Sequence, residues 1–124
     1  MKKFSKDHEW IMVEDNQVAK IGITDYAQKQ LGDIVFVDLP ALGKIVSKGS
    51  EAAVVESVKA ASEVYAPIDG EIILVNDKLT GDPALVNNKA ESDGWFFKLK
   101  MTDASQLNEL MDEQTYKAYL KDLA

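Results

Sequence analysis

The residue best placed for chemistry is a single lysine. In VVESVKAASEVYAPIDGEI, residues Val54 to Ile72, Lys59 stands between two short runs of small and β-branched residues, at the point where the chain turns back. Taking 52–57 and 60–65 as paired strands leaves Val58-Lys59 as a two-residue connection. Primed hairpin turns need positive φ, which a β-branched valine resists, whereas a type I geometry tolerates both residues. A primary amine at such a tip can be solvated, can form a Schiff base, or can carry a covalently attached group. Schiff-base work needs an amine kept deprotonated by burial or by a neighbouring cation. From Glu51 to Glu71 the sequence supplies neither; it surrounds Lys59 with Glu51, Glu56, Glu63, Asp69 and Glu71. Covalent attachment suits an exposed tip, because a separate enzyme must reach the amine and the attached group must then visit other proteins. Simple solvation is the usual fate of a surface lysine. Here the turn position, the acidic surroundings and a flanking repeat together weigh against it.

The rest of the chain offers few other reactive groups. There are no cysteines, which removes disulfides, thiolate nucleophiles and cysteine metal sites, and a lone His8 cannot build a histidine metal cluster. With 14 basic and 21 acidic side chains the net charge is -7, a field that repels nucleic acid and anionic membrane surfaces. Apolar runs fall well short of the about 20 residues that span a bilayer, and MKKFSKDHEW has no apolar h-region behind its lysines. These features predict an untargeted protein of the bacterial cytoplasm, with a mature organellar protein as the alternative. At 124 residues and 46% hydrophobic content, one domain over 1–124 with one core is expected.

Several elements must position the lysine. EWIMVEDNQVAKIGI, Glu9 to Ile23, reads as a β-hairpin around Glu14-Asp15-Asn16. Thr24 is placed to cap a two-turn helix over DYAQKQL, with Gly32 at its end. DIVFVDL, Asp33 to Leu39, reads as a strand stopped by Pro40. Pro40-x-x-Gly43-x-Ile45 recurs as Pro67-x-x-Gly70-x-Ile72, predicting two similar strand-turn-strand units on either side of Lys59, related by an approximate two-fold. Beyond Asn76, itself a turn former, the chain reads as looser, through TGDPALVNNKAESDG. Trp95 to Met101 supplies a last strand. Helices close the chain at about 103–123: Asp103 and Gln106 have capping-box spacing, and Tyr116, Tyr119, Leu120 and Leu123 form an apolar stripe.

With these pieces in order, the chain resembles the H proteins of the glycine cleavage system over nearly its whole length. The resemblance rests on ESVKAASEVYAP around Lys59, HEW (His8 to Trp10), IGITDYAQKQLGDIVFVDLP (Ile21 to Pro40), PIDGEI (Pro67 to Ile72), PALVN (Pro83 to Asn87) and DGWFFKLK (Asp93 to Lys100). It implies a mainly β barrel-sandwich hybrid of two small antiparallel sheets with short peripheral helices. It also implies lipoate attached covalently to Lys59, within a modification motif made by Glu56, Ser57, Val58 and Ala60. The implied function is that of a carrier, not an enzyme. Glycine decarboxylase loads the aminomethyl group of glycine, aminomethyltransferase unloads it, dihydrolipoyl dehydrogenase reoxidises the carrier, and lipoate-attachment enzymes install the group. By motif position Glu9 and Glu63 lie near the arm and hold its cationic amine, with ordinary surface carboxylates as the alternative. Gln30 replaces a histidine seen in some relatives, and Lys89-Ala90 departs from a loop where proline is common, which predicts a looser loop.

Three other functions compete. A biotinyl carrier shares the hairpin but usually flanks its lysine with methionines, unlike Val58 and Ala60. A lipoyl-relay protein, or an unmodified interaction module, would use the same fold. A lysine-dependent enzyme lacks the surroundings that Schiff-base chemistry needs.

Overall fold

The computed structural model describes residues 2–123; Met1 and Ala124, the ends of the expected single domain, lie outside the described residues. Its strands are β1 (Lys2–Phe4), β2 (Glu9–Val13), β3 (Val18–Ile23), β4 (Ile34–Asp38), β5 (Ile45–Val46), β6 (Glu51–Ser57), β7 (Ala61–Tyr65), β8 (Gly70–Val75) and β9 (Phe97–Met101). Helices α1 (Asp25–Leu31), α2 (Lys78–Gly81), α3 (Leu85–Asn88) and α4 (Glu113–Leu123) lie between and after them. One antiparallel sheet has the order β1-β2-β3-β9-β8-β5, and a second has the order β4-β6-β7. This is the mainly β, two-sheet sandwich with peripheral helices that the family resemblance implied, although the sheets are unequal in size.

The strands close on a core of branched aliphatic side chains. Ile11, Ile21, Val37, Val55, Val64, Ile72 and Leu99 are buried and bring both sheets into one cluster. Emptying one such site, for example with Leu99→Ala, costs about 2 to 5 kcal/mol because the surroundings refill the space only in part. A second cluster joins the chain ends. Phe4 and Tyr116 stack with ring centroids 4.6 Å apart beside Trp10, and the backbones of Phe4 and Met111 exchange two 2.8 Å hydrogen bonds. Gly22 lets the indole of Trp10 lie flat on β3, since a Cβ there would come within 2.8 Å of the ring.

Local signals in the sequence translate directly into α1 and the first hairpin. Thr24 Oγ1 accepts the Ala27 amide at 3.2 Å, and Gly32 ends the helix at φ +82, a conformation favouring glycine. β2 and β3 pair from Glu9↔Ile23 to Val13↔Ala19, joined by a 3-10 turn over Asp15–Gln17.

Other expectations need correction. The two Pro-x-x-Gly-x-Ile copies are not equivalent: Gly43 has φ +84 and Ile45 is exposed, whereas Gly70 lies in β8 and Ile72 is buried. The copies instead pair with each other, with Ile45 opposite Glu71 and Gly43 N–H donating to the Ile72 carbonyl at 2.7 Å. The segment read as loose chain folds into α2 and α3, which bury Leu79 and Val86. Ala90 is buried too, its carbonyl accepting the Trp10 indole N–H at 2.9 Å, so this loop is tied to the core. Asn76 does open a turn, its carbonyl accepting the Leu79 amide at 3.1 Å, but it is also buried, and its side-chain amide donates to the carbonyls of Asp93 and Trp95. The capping box at Asp103 does not form. Asp103 accepts the Ser105 amide at the head of a 3-10 helix, Ala104–Glu109, while the Gln106 side chain turns to Asp69.

Candidate functional site

Ser57 explains why Val-Lys serves as a turn. Its backbone N–H donates to the Ala60 carbonyl at 2.8 Å, and its hydroxyl accepts the amides of both Lys59 and Ala60 at 3.1 Å. The loop is thus closed by side-chain bonds that mimic a backbone turn. Neither Val58 nor Lys59 has positive φ, as the sequence argument required. Val58 N–H reaches across to the Asp33 carbonyl at 3.0 Å, anchoring the tip to the start of β4. Lys59 itself is exposed and makes no ion pair among the described residues.

The stem of Lys59 runs back over Gly32. A Cβ on that glycine would stand 3.1 Å from Lys59 Cε and 3.9 Å from its amine, a contact the free lysine side chain relieves by shifting, so it is the positive φ that calls for glycine. Asn87 fixes the same spot from below. Its amide donates to the carbonyl of Gly32 and to Gln28 Oε1, each at 2.9 Å, while its Oδ1 accepts the Ile34 amide at 2.9 Å. Sequence reasoning placed Asn87 within a matched motif but gave it no role; nothing local could show that α3 folds under the lysine.

Beside the lysine lies a groove of about 330 Å³ between α1 and the β6–β7 hairpin. Ile23, Ala27, Leu31, Val55 and Val64 give it an apolar floor, and His8, Glu9, Gln30, Ser62 and Glu63 supply polar groups. The two predicted arm contacts, Glu9 and Glu63, therefore line one groove. They differ in kind. Glu63 is exposed and accepts the Tyr65 hydroxyl at 3.0 Å. Glu9 is only 2% exposed, so the ordinary surface carboxylate considered for it is ruled out. Its oxygens accept the Ser5 hydroxyl at 2.7 Å and the Tyr65 amide at 3.2 Å.

Burial pushes the Glu9 carboxyl up to about 7, against the hydrogen bonds from Ser5 and Tyr65 that favour its charged form; the nearby Asp7 charge adds to the rise. Burial also lowers the His8 imidazole, more than Asp7 raises it. His8 Nδ1 lies 2.8 Å from the Tyr116 hydroxyl, which also meets Thr24 Oγ1 at 2.8 Å, so the ring belongs to the structure that seats α4. Not all the acids near Lys59 in sequence are near it in space. Glu51, Asp69 and Glu71 belong to the open end of the hairpin and beyond, where Asp69 accepts the Lys48 amide and bonds Gln106. The neighbouring Glu63 carboxyl raises the Glu51 carboxyl, first as a hydrogen-bond partner of its protonated form and then through its charge.

Similarity to known proteins points the same way as this geometry. The family model described as glycine cleavage H-protein matches residues 2–123. A glycine cleavage system H protein of Xanthobacter autotrophicus is 58% identical over 98% of this chain and 97% of its own. Another, from Rhodospirillum rubrum, is 54% identical over 97% and 95%, and one from Thermotoga maritima is 51% identical over 96% and 95%. Among solved structures, the crystal structure of a glycine cleavage system H protein from Mycobacterium marinum superposes with a TM-score of 0.88, at 33% identity, covering 97% of this chain and 96% of that one. An exposed lysine on a side-chain-closed turn, beside a groove with a buried acid, thus occurs in a chain whose whole length follows one pattern: it belongs to the glycine cleavage H-protein family.

Proposed function

We propose that Lys59 is the residue on which this chain carries lipoate, and that residues 1–124 act as one carrier domain. As a member of its family the protein is a non-catalytic carrier component of the glycine cleavage system. The observation that carries the assignment is the amine of Lys59, exposed at the tip of a turn held by Ser57 and without an ion-pair partner among the described residues. Glu56, Ser57, Val58 and Ala60 form the motif an attachment enzyme reads.

Lipoate, when attached, supplies the redox-active disulfide; the residues of this chain bind and shield. The apolar floor of Ile23, Ala27, Leu31, Val55 and Val64 fits an alkyl chain, and Glu9 and Glu63 fit a cationic amine at its far end. A cation brought to Glu9 favours its ionised form, so a group that titrates near neutrality alone becomes a carboxylate when loaded. The absence of cysteine leaves no thiol in the chain to capture the cargo's sulfurs in a mixed disulfide.

Glycine decarboxylase, aminomethyltransferase, dihydrolipoyl dehydrogenase and lipoate-attachment enzymes are the partners we assign. The bacterial cytoplasm is the compartment, a reading supported by bacterial relatives; among the described residues no helix is long and apolar enough to cross a membrane. The decisive measurement is the intact mass of protein incubated with lipoate, ATP and a lipoate ligase. The unaltered chain gains one lipoyl group and Lys59→Arg, equally charged but without an acylable primary amine, gains none. A gain retained by Lys59→Arg would remove the assignment.

A further inference from the structure

The strand beside the lysine carries a feature the carrier chemistry leaves unused. β4 is an edge strand paired with β6, and its register shifts between Ile34↔Ser57 and Phe36↔Glu56, leaving Val35 without a partner. Such a bulge re-aims side chains. Here it exposes two consecutive apolar residues, Val35 at 55% and Phe36 at 48%, on a strand that alternation alone would half bury. Val58, 67% exposed, extends the strip to the lysine turn, where its amide is bonded to the Asp33 carbonyl. Glu56, directly opposite Phe36, and Asp33 and Asp38 at the two ends of β4 are exposed acids around the strip.

We infer that the Val35–Phe36–Val58 strip is the docking surface for the enzyme that acylates Lys59, an acyl-transferring ligase with an apolar recess and a basic rim. The inference rests on Lys59 being the attachment residue. Its core is reach. In the attachment step the Nζ lone pair attacks the carbonyl carbon of a lipoyl-adenylate. The amide C–N bond forms, the carbonyl–phosphate C–O bond breaks, AMP leaves with that electron pair, and one amine proton passes to base. The enzyme that does this must bring its reacting atoms to the lysine amine itself, and so must cover the turn and the strand bonded to it. Enzymes acting at the far end of an attached arm stand off by the arm's length. The buried side of the hairpin, with Val55, faces the groove, so the exposed side is the one open to such an approach. The acids around the strip set the sign of the partner's rim.

A second bulge supplies an internal control. β8 shifts register between Ile72 and Leu74 and exposes Ile73 and Leu74, at 40% and 46%, on the other sheet. The same chemistry is therefore present away from the lysine hairpin.

The test measures kcat/KM for lipoyl transfer by a purified lipoate ligase, with ATP and lipoate, to the full chain and its Phe36→Ser, Val35→Ser, Leu74→Ser and Lys59→Arg variants. Each chain that accepts lipoate is then taken to full lipoylation and assayed as a substrate of glycine decarboxylase. Loss of a central apolar contact lowers the attachment kcat/KM of Phe36→Ser about tenfold, through KM. Val35→Ser shows a smaller loss, Leu74→Ser none, and the decarboxylase reaction of lipoylated Phe36→Ser stays within about twofold of the unaltered chain. Attachment to Phe36→Ser at the unaltered rate, an equal fall in both assays, or an equal fall in Leu74→Ser would overturn the docking surface and leave Lys59 standing. Continued modification of Lys59→Arg would overturn the attachment assignment and this inference with it.

Discussion

Glu9 has a carboxyl 2% exposed, held by Ser5 and the Tyr65 amide, and titrating near 7 against 4.5 for an unperturbed glutamate. Because the folded value is the higher one, the folded state keeps its proton while the unfolded chain has released its own. The contribution of this group to stability is therefore greatest below about 4.5, falls as pH rises through the interval, and levels off above about 7, a change on the order of 3 kcal/mol for one buried group. Glu9→Gln removes the titration. Urea unfolding at pH 5 and pH 8 should show the variant gaining stability relative to the unaltered protein by up to that amount, and a difference independent of pH would contradict it. None of this was visible in the letters HEW, which place an acid beside a motif but do not say that it is buried. Lys59 was the opposite case: its exposure and its turn both followed from neighbours in sequence.

The same division holds among the elements. α1 and the first hairpin were legible because their determinants are local: a threonine cap, a terminal glycine, a polar turn between apolar runs. α2 and α3 were missed because each has only four residues and is held by burying Leu79 or Val86, a tertiary cause without a periodic signal. The Asp103 capping box had the right spacing, yet Gln106 found a better partner in Asp69, which sequence separation conceals. The lysine hairpin depends on a local device that can be tested by itself. Ser57→Ala removes the acceptor of two turn amides and costs about 1 kcal/mol. Amide exchange should quicken at Lys59 and Ala60 while core amides such as that of Ile21 remain protected; uniform loss of protection would mean the hydroxyl serves the whole fold instead.

At the scale of the molecule, the resemblance supplied the two-sheet architecture that strand signals alone did not, and the small cluster of Phe4, Trp10 and Tyr116 ties the final helix back to the first strands. The β4 bulge has one more effect at this scale. A long, regular apolar edge strand is a template on which a second copy can add its own strand, the first step toward aggregation. β4 is an edge and it is apolar, but Val35 stands out of register, so a strand arriving at that edge cannot continue the ladder past it. Deleting Val35 would restore a regular ladder while leaving the Ile34 and Phe36 pairings available. Light scattering at high protein concentration should then rise in the deletion variant and stay low in the unaltered chain. A carrier that must leave an apolar strip bare for its attachment enzyme to grip can remain dispersed at high concentration because that strip is too irregular for its own kind to copy.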